Sequence, residues 1–441
     1  MTRLLVARGT VLPFDAAFSV LEDHDVLVEG NRITAIAPAG TLEGPFDRVL
    51  WAGRRVVMPG LVNAHTHLYS AFARGLGAPP SADFQGVLRD LWWRLDRALD
   101  LEAVGLSAWA TLLEAIRAGC TTLVDHHASP CAVRGSLDAL AEAVCASGLR
   151  ACLCYEVSDR DGAATAREGL EENAAFLRRC AAERHPQLRG LVGLHASFTL
   201  EDTTLRAAAE LGKASGAGFH VHLAEDASDA RLTRARHGCS PTARLAEAGV
   251  LGPESLAAHG VHLDAEDRAR LARAGATVVH NPQSNQNNGV GLADLPALAA
   301  AGIPVALGTD AMTADPLAEL RAALWAQHLR AGSPSAAFPE VCATLTRTNP
   351  ALASRLWGAP LGTLAPGALA DLLVLDYDPV TPMETANALG HLVFGLAQAG
   401  VRSTVCGGRV LMEDGELCLD LDEAELRARC RAAARRVWAR L

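Results

Sequence analysis

The sequence predicts an α/β protein: a (β/α)8 TIM barrel with a small β-sandwich domain built from the N- and C-terminal segments. Three observations predict it. Apolar strand-like runs alternate with Ala/Leu/Arg-rich helical stretches through the middle of the chain. Those runs end in polar residues, many of them histidines. The two ends of the chain are rich in short strands instead. A length of 441 residues exceeds what one hydrophobic core usually holds, in keeping with one large and one small unit.

Taken in order, residues 1–58 read as short strands, "RLLVARGTVLPF" and "HDVLVEGNRITAIAPAG", with Gly and Asn at the turns. The barrel is expected over residues 59–360. Its strand runs are "GLVNAHTH" (60–67), "CTTLVDHH" (120–127), "RACLCYEVSD" (150–159), "GLVGLHAS" (190–197), "GAGFHVHLAED" (216–226), "SLAAHGVH" (255–262), "ATVVHNPQSN" (276–285) and "IPVALGTD" (303–310). Helical stretches such as "DTTLRAAAELGKASG" separate them, and in "SPTARLAEAG" Ser240 is a cap with Pro241 in the first turn. Residues 361–441 complete the terminal domain. Gly407-Gly408 makes a hairpin turn, and a last helix starts after Asp422, with Glu425 at capping-box spacing. A doubly wound sheet is the competing architecture, but no glycine-rich phosphate turn follows the first strand.

Composition narrows the function. A formal charge of −10 argues against a nucleic-acid partner. No uninterrupted apolar span is long enough for a membrane. The 11 cysteines form no Cys-x-x-Cys pair, and the N-terminus has no apolar leader core, so a reducing cytoplasmic setting is expected.

The strand ends carry the chemistry. Residues i and i+2 of a strand share a face, so His65 and His67 both point into the barrel at its carboxyl end, where active sites of this architecture lie. Alone, His-x-His would equally describe two hydrogen-bonded core histidines. Strand four, however, ends at His195, strand five at His222, strand six at His259 and strand eight at Asp310. Imidazoles plus a carboxylate, with a coordination position open to water, make a catalytic zinc site. In "FHVHLAE", His222 lies nearer the strand end and is assigned as ligand, with His220 a deeper core histidine. Glu225, where that strand gives way to a loop, is the expected general acid/base, and Asp310 can orient the water proton. His259, if not a ligand, can polarise the substrate.

"PGLVNAHTH", "HLAE", "AHGVHL", "NPQSN" and "LGTD" together resemble the metal-dependent amidohydrolase superfamily over essentially the whole chain. Within it the chain looks like the aminohydrolase and chlorohydrolase (ATZ/TRZ-like) branch, which acts on purine-like and triazine-like rings. More narrowly, "DHHASP", "CYEVSDRDG" and "VVHNPQSNQNN" resemble the SsnA-type aminohydrolases, a subgroup associated with selenium and purine-related metabolism. The resemblance implies a metal on His65, His67, His222 and Asp310, Glu225 as proton shuttle, and His259 beside the metal. It implies His195 and the Asn281–Ser284 loop near the substrate. Binuclear members bridge two metals with a lysine at the end of strand four. This chain has a single lysine, Lys213, in a predicted helix, so one divalent metal is expected, Zn2+ first and Fe2+ or Mn2+ as alternatives. The chain also departs from the nucleoside deaminases. It reads "LGAPPSADFQGVLRDLWW" after "RG", and "SNQNNGVG" where relatives read "SNLKL".

Further substrate contacts are expected from Tyr69 and Arg74 on the long loop after strand one, and from His127 after strand two. Trp92 and Trp93 on the same loop read more naturally as core or interface. Arg160 reads as an ion-pair partner of its acidic neighbours rather than an anion receptor. The sequence therefore describes a mononuclear hydrolase that deaminates a nitrogen-rich heterocycle. A cyclic or linear amide C–N hydrolase using the same site is the second reading, and a non-catalytic binding protein the third. A small-molecule substrate and a homodimer are expected.

Overall fold

The structure, a computed structural model, describes residues 2–77 and 79–441. Strands Leu61–Thr66, Cys120–Asp125, Arg150–Leu153 and Leu188–Gly190 pair in parallel in that order. Strands Val192–Ala196, Phe219–Leu223, Leu256–His259, Thr277–His280 and Val305–Leu307 form a second parallel set. The two sets meet at both edges. Residues 188–196 run from one set into the other, and Val157 bridges Leu194. At the opposite edge Thr66 bridges Asp310, and the amides of Thr309 and Asp310 both donate to the His65 carbonyl at 2.9 Å. Nearly every residue in these strands is buried, as expected where both faces of a parallel sheet are covered.

Gly308 makes that last junction possible. A β-carbon there would lie 2.6 Å from Asn281 Oδ1 and 2.7 Å from His65 Cβ. Only glycine lets the eighth strand approach the first this closely, and this approach sets Asp310 beside His65 and His67.

Helices cover the strands. Helix Leu101–Arg117 starts at Asp100, whose carboxylate accepts the Ala103 amide at 2.9 Å, and it buries Leu106, Leu112, Leu113 and Ile116. Ser240 caps helix Pro241–Glu247 through the Ala243 amide, with Pro241 in its first turn. Asp422 caps the last helix, Glu423–Trp438, through the Glu425 amide at 3.0 Å. That helix packs on Leu101–Arg117, and its Trp438 indole N–H donates to the Phe72 carbonyl at 2.7 Å.

The two ends of the chain meet in one sheet. Strand Val56–Pro59 pairs antiparallel with Leu372–Leu375, and the strands within 3–59 and 372–417 form a single mixed nine-stranded sheet. The sequence predicts a sandwich of two sheets. Here Arg3–Val11 pairs with three neighbours, so the hydrogen bonding runs through without a break. One face buries Val6, Val26, Val28, Val57, Leu372 and Val405 in a separate apolar core. At its hairpin, Gly407 and Gly408 both have positive φ (57° and 77°), and a β-carbon on Gly408 would lie 2.0 Å from the Gly30 carbonyl oxygen.

Two expected loops contain helices. "NPQSNQN" folds as helix Pro282–Asn287, because Pro282 occupies its first turn and leaves no amide unpaired there. The long connection after strand one contains a 3-10 turn, Leu68–Ala73, and a helical segment from Phe84 to Arg97 that runs through a π-turn at Leu88–Trp92.

Candidate active site

His65 is fully buried at the carboxyl end of the first strand. Its Nδ1 lies 2.8 Å from His220 Nε2, and its Nε2 is buried without a hydrogen-bond partner. The other two rings are held by the same kind of contact. His67 Nδ1–H donates to the His126 carbonyl at 2.5 Å, and His222 Nδ1–H donates to the His195 carbonyl at 3.0 Å. With Nδ1 committed as a donor, Nε2 is the nitrogen each of these rings can offer a cation. One ligand atom from each of His65, His67 and His222 falls within 4.8 Å of the others, and His65, His259 and Asp310 form a second such group. Asp310 Oδ1 lies 3.1 Å from His67 Nε2 and 3.9 Å from His65 Nε2. An orphaned buried nitrogen, converging neutral imidazoles and one carboxylate fit a divalent cation, and zinc in particular.

His259 is held the other way round. Its Nδ1 accepts from the Asn285 amide at 2.9 Å and lies 3.4 Å from the Asn281 amide nitrogen. The ring proton therefore sits on Nε2, which is 3.4 Å from Glu225 Oε2 and 3.7 Å from Asp310 Oδ2. His259 is thus set up as a donor rather than a lone-pair ligand. Ala224, His259 and Asp310 all have positive φ (51°, 77° and 55°), so the backbone is strained where three of these strands leave the sheet.

Electrostatics separate the carboxylates. Burial pushes Glu225 well above the ordinary range, and the charge of Asp310 adds to the shift. Burial opposes the charge of Asp310 too, but the hydrogen bond and charge of His67, with His259 and Ser284, together outweigh it and hold the carboxyl well below the usual carboxylate range. Burial likewise opposes the charging of His67, yet the contact with Asp310 raises it to about 9. His259 and His195 are each lowered to about 4, chiefly by burial.

A cavity opens over this cluster, with His67, His222, Glu225 and Asp310 in its wall. Phe84, Trp92, Trp93 and Phe198 supply flat apolar walls. Among the described lining residues there is no Lys or Arg.

Of the expected substrate contacts, Tyr69, His195 and Ser284 line this cavity, while Arg74, His127 and Asn281 do not. The Arg74 guanidinium points away and pairs with Glu114 at 2.5 Å. His127 is fully buried behind Tyr69, with Nε2 on the Ser129 hydroxyl at 2.9 Å. Asn281 sits under His259. Trp92 and Trp93, read as core, are wall residues because the π-turn brings both rings over the cavity. Arg160 forms a buried pair with Asp96, its guanidinium 5.3 Å from the Trp93 ring centre. Lys213 is exposed on helix Asp202–Ser215, far along the chain from the strand-four end that His195 occupies.

The sequence places Glu156 at the end of strand three but gives it no role of its own. Its carboxylate is buried against the cavity, with Oε2 3.1 Å from His126 Nδ1 and Oε1 3.9 Å from His195 Nε2. Beyond strand Arg150–Leu153 the chain stays extended, with Tyr155 bridged to His127 and Val157 to Leu194, so Glu156 keeps the inward parity of Cys152 and Cys154, a signal that alternation did offer.

Ionisable groups converging at the carboxyl ends of parallel strands, beneath an apolar-walled cavity, define a hydrolase of the metal-dependent kind. The chain belongs to the amidohydrolase family, whose pattern matches residues 56–411. It is 30% identical over 443 residues to a 5-methylthioadenosine/S-adenosylhomocysteine deaminase of Pelotomaculum thermopropionicum, covering 99% of each chain. It is 30% identical over 445 residues to a 5'-deoxyadenosine deaminase of Methanosarcina barkeri, covering 100% of each. Among solved structures, an adenosine deaminase from Xanthomonas campestris with bound zinc superposes with a TM-score of 0.87 at 24% identity, covering 99% of each chain. An atrazine chlorohydrolase from Arthrobacter aurescens with zinc superposes at 0.82 and 23% identity, covering 98% of this chain and 100% of that one. The protein is a hydrolytic enzyme of this family. No helix among the described residues is long and apolar enough to cross a membrane.

Proposed function

We propose that the protein is a mononuclear, metal-dependent aminohydrolase that removes an amino group from a purine-like or comparable nitrogen-rich ring. One observation carries the reading. Three buried imidazoles each bring a ligand nitrogen within 4.8 Å of the others, beside Asp310, in an apolar-walled cavity that Glu225 also lines. His65, His67, His222 and Asp310 would hold one divalent cation. Zinc suits this ligand set, as Fe2+ and Mn2+ do less selectively. When bound, that cation supplies Lewis acidity and makes water a nucleophile near neutral pH.

The chain's own groups supply the rest. Burial, with the charge of Asp310 beside it, favours the protonated form of Glu225. Glu225 can hand that proton to the ring nitrogen next to the reacting carbon, then take a proton from the added water and pass it to the departing amine. His259 Nε2–H points at the same space, where it stabilises charge developing on the incoming oxygen. Water adds, the carbon–nitrogen bond breaks, and ammonia leaves. The aromatic walls hold a planar ring and exclude bulk water. This reading includes a barrel closed from eight parallel strands over residues 59–360, with 1–58 and 361–441 as the second domain. The deaminase names of its relatives support loss of ammonia over opening of an amide.

The test is ammonia release from a panel of purines, nucleosides and triazines by the zinc-loaded protein, with carboxylate formation scored in parallel. Glu225→Gln should keep its zinc and lose about 10²- to 10⁴-fold in turnover. Normal turnover by that variant refutes the assignment.

A further inference from the structure

The wall of the cavity opposite Glu225 carries a feature that the deamination chemistry leaves unused. Glu156 Oε2 faces His126 Nδ1 at 3.1 Å, but Oε1 has no hydrogen-bond partner within the protein and opens on the cavity. His195 Nε2 is 3.9 Å from that oxygen. The other ring nitrogen of His195 is 2.7 Å from the Thr199 hydroxyl, whose own proton is committed to the Ala196 carbonyl at 3.0 Å. Thr199 can therefore only accept, so His195 Nδ1 carries the proton and Nε2 presents a lone pair. Two acceptors thus stand side by side on the wall with no donor between them.

From this geometry we infer that Glu156 and His195 form a two-acceptor subsite that reads an N–H-rich edge of the substrate. The inference rests on the aminohydrolase reading and names its substrate class more narrowly: a heterocycle bearing, besides the group that leaves, an amino group or an amino group beside a ring N–H. Donor–acceptor distances near 3 Å let one amino group, or two neighbouring N–H bonds, reach both atoms. A buried acceptor left unmatched costs binding, so the subsite selects as well as attracts. Phe198 and Trp93, with ring centres 5.7 Å and 6.2 Å from that of His195, flank the subsite with apolar faces. They orient a flat ligand edge-on to the two acceptors.

The experiment measures equilibrium binding to the zinc-loaded holoenzyme by calorimetry. The ligands are matched purine, pyrimidine and triazine pairs, each with and without one additional amino group beside a ring nitrogen. Wild type is compared with Glu156→Gln and Glu156→Leu, and zinc per chain is measured for each. At least one donor-bearing ligand should bind wild type about tenfold or more tightly than its donor-poor partner. Glu156→Leu should abolish that preference, and Glu156→Gln, which keeps one acceptor oxygen, should reduce it. If the leucine variant does not fold, zinc content will reveal it and the glutamine variant decides alone. The inference is overturned if no pair shows the preference, or if both members of a pair weaken equally. It is overturned equally if the Glu156 dependence follows a sugar hydroxyl in nucleoside-against-base comparisons, or if a second zinc is present and lost with Glu156. Glu156-dependent binding without ammonia release would uphold the subsite and sink the aminohydrolase reading. Ammonia release that ignores Glu156 would do the reverse.

Discussion

Two strands of this protein carry the same motif and use it differently. On the first strand, His65 and His67 both bring a ring nitrogen to the ligand cluster. On the fifth, His222 does so, while His220 lies one layer deeper and meets His65 Nδ1 at 2.8 Å. Alternation is identical in the two strands, so both histidines of each pair face inward. What differs is depth. The first strand ends within a residue of His67, where a 3-10 turn begins, and the fifth runs on to Leu223. The stagger between strands places His65 level with the gap between His220 and His222, its ring centre 4.8 Å from one and 5.2 Å from the other. One motif thus supplies two candidate ligands, and the other supplies one ligand and the group that orients its neighbour.

The strongest way to break this comparison is to remove a ring from the cluster itself. His67→Ala and His222→Ala should each lose stoichiometric zinc and fall to background turnover, which metal analysis and an ammonia assay would read together. A variant that kept both would show the cluster is not the metal site. His220→Leu should do less. Zinc affinity should fall about 10- to 100-fold, the usual effect of losing an orienting partner, while turnover per bound zinc stays within a few-fold of wild type. If His220→Leu matched His222→Ala, the two positions would be equivalent and the depth argument wrong.

Acidity sharpens the same point. His67 is raised to about 9 through Asp310, so below that pH a cation must displace its proton. Zinc affinity should therefore climb about tenfold per pH unit between pH 6 and 8. His67→Ala removes this proton and should flatten the slope of whatever residual binding persists. The smallest effect is expected at Asn285, which fixes the His259 tautomer. Asn285→Ala should cost several-fold in kcat, with zinc content unchanged. A fall in zinc instead would make His259 a ligand rather than a donor.

Much of this arrangement is legible along the chain. Period-two alternation puts His65, His67 and His222 on inward faces. Asp100, Ser240 and Asp422 mark helix starts by the simple presence of an oxygen one residue before the first turn. "LGTD" announces a close strand crossing, because Gly308 has no room for a β-carbon. Arg74 reads as a pocket residue only until Glu114, forty positions away, captures its guanidinium. Trp92 and Trp93 read as core because a π-turn, which rotates both rings over the cavity, leaves no mark in an amphipathic pattern.

Which strand side chains face inward, and which imidazoles therefore converge, were settled by the sequence itself, since both follow from local periodicity. Which nitrogen of each ring is free, how deep each histidine sits and what surrounds Glu156 were decided by the folded chain alone. Those properties depend on the stagger of strands and on carbonyls contributed by distant segments, such as His126 to His67 and His195 to His222. No local pattern encodes them, because each is a distance between residues that only the closed arrangement of strands brings together.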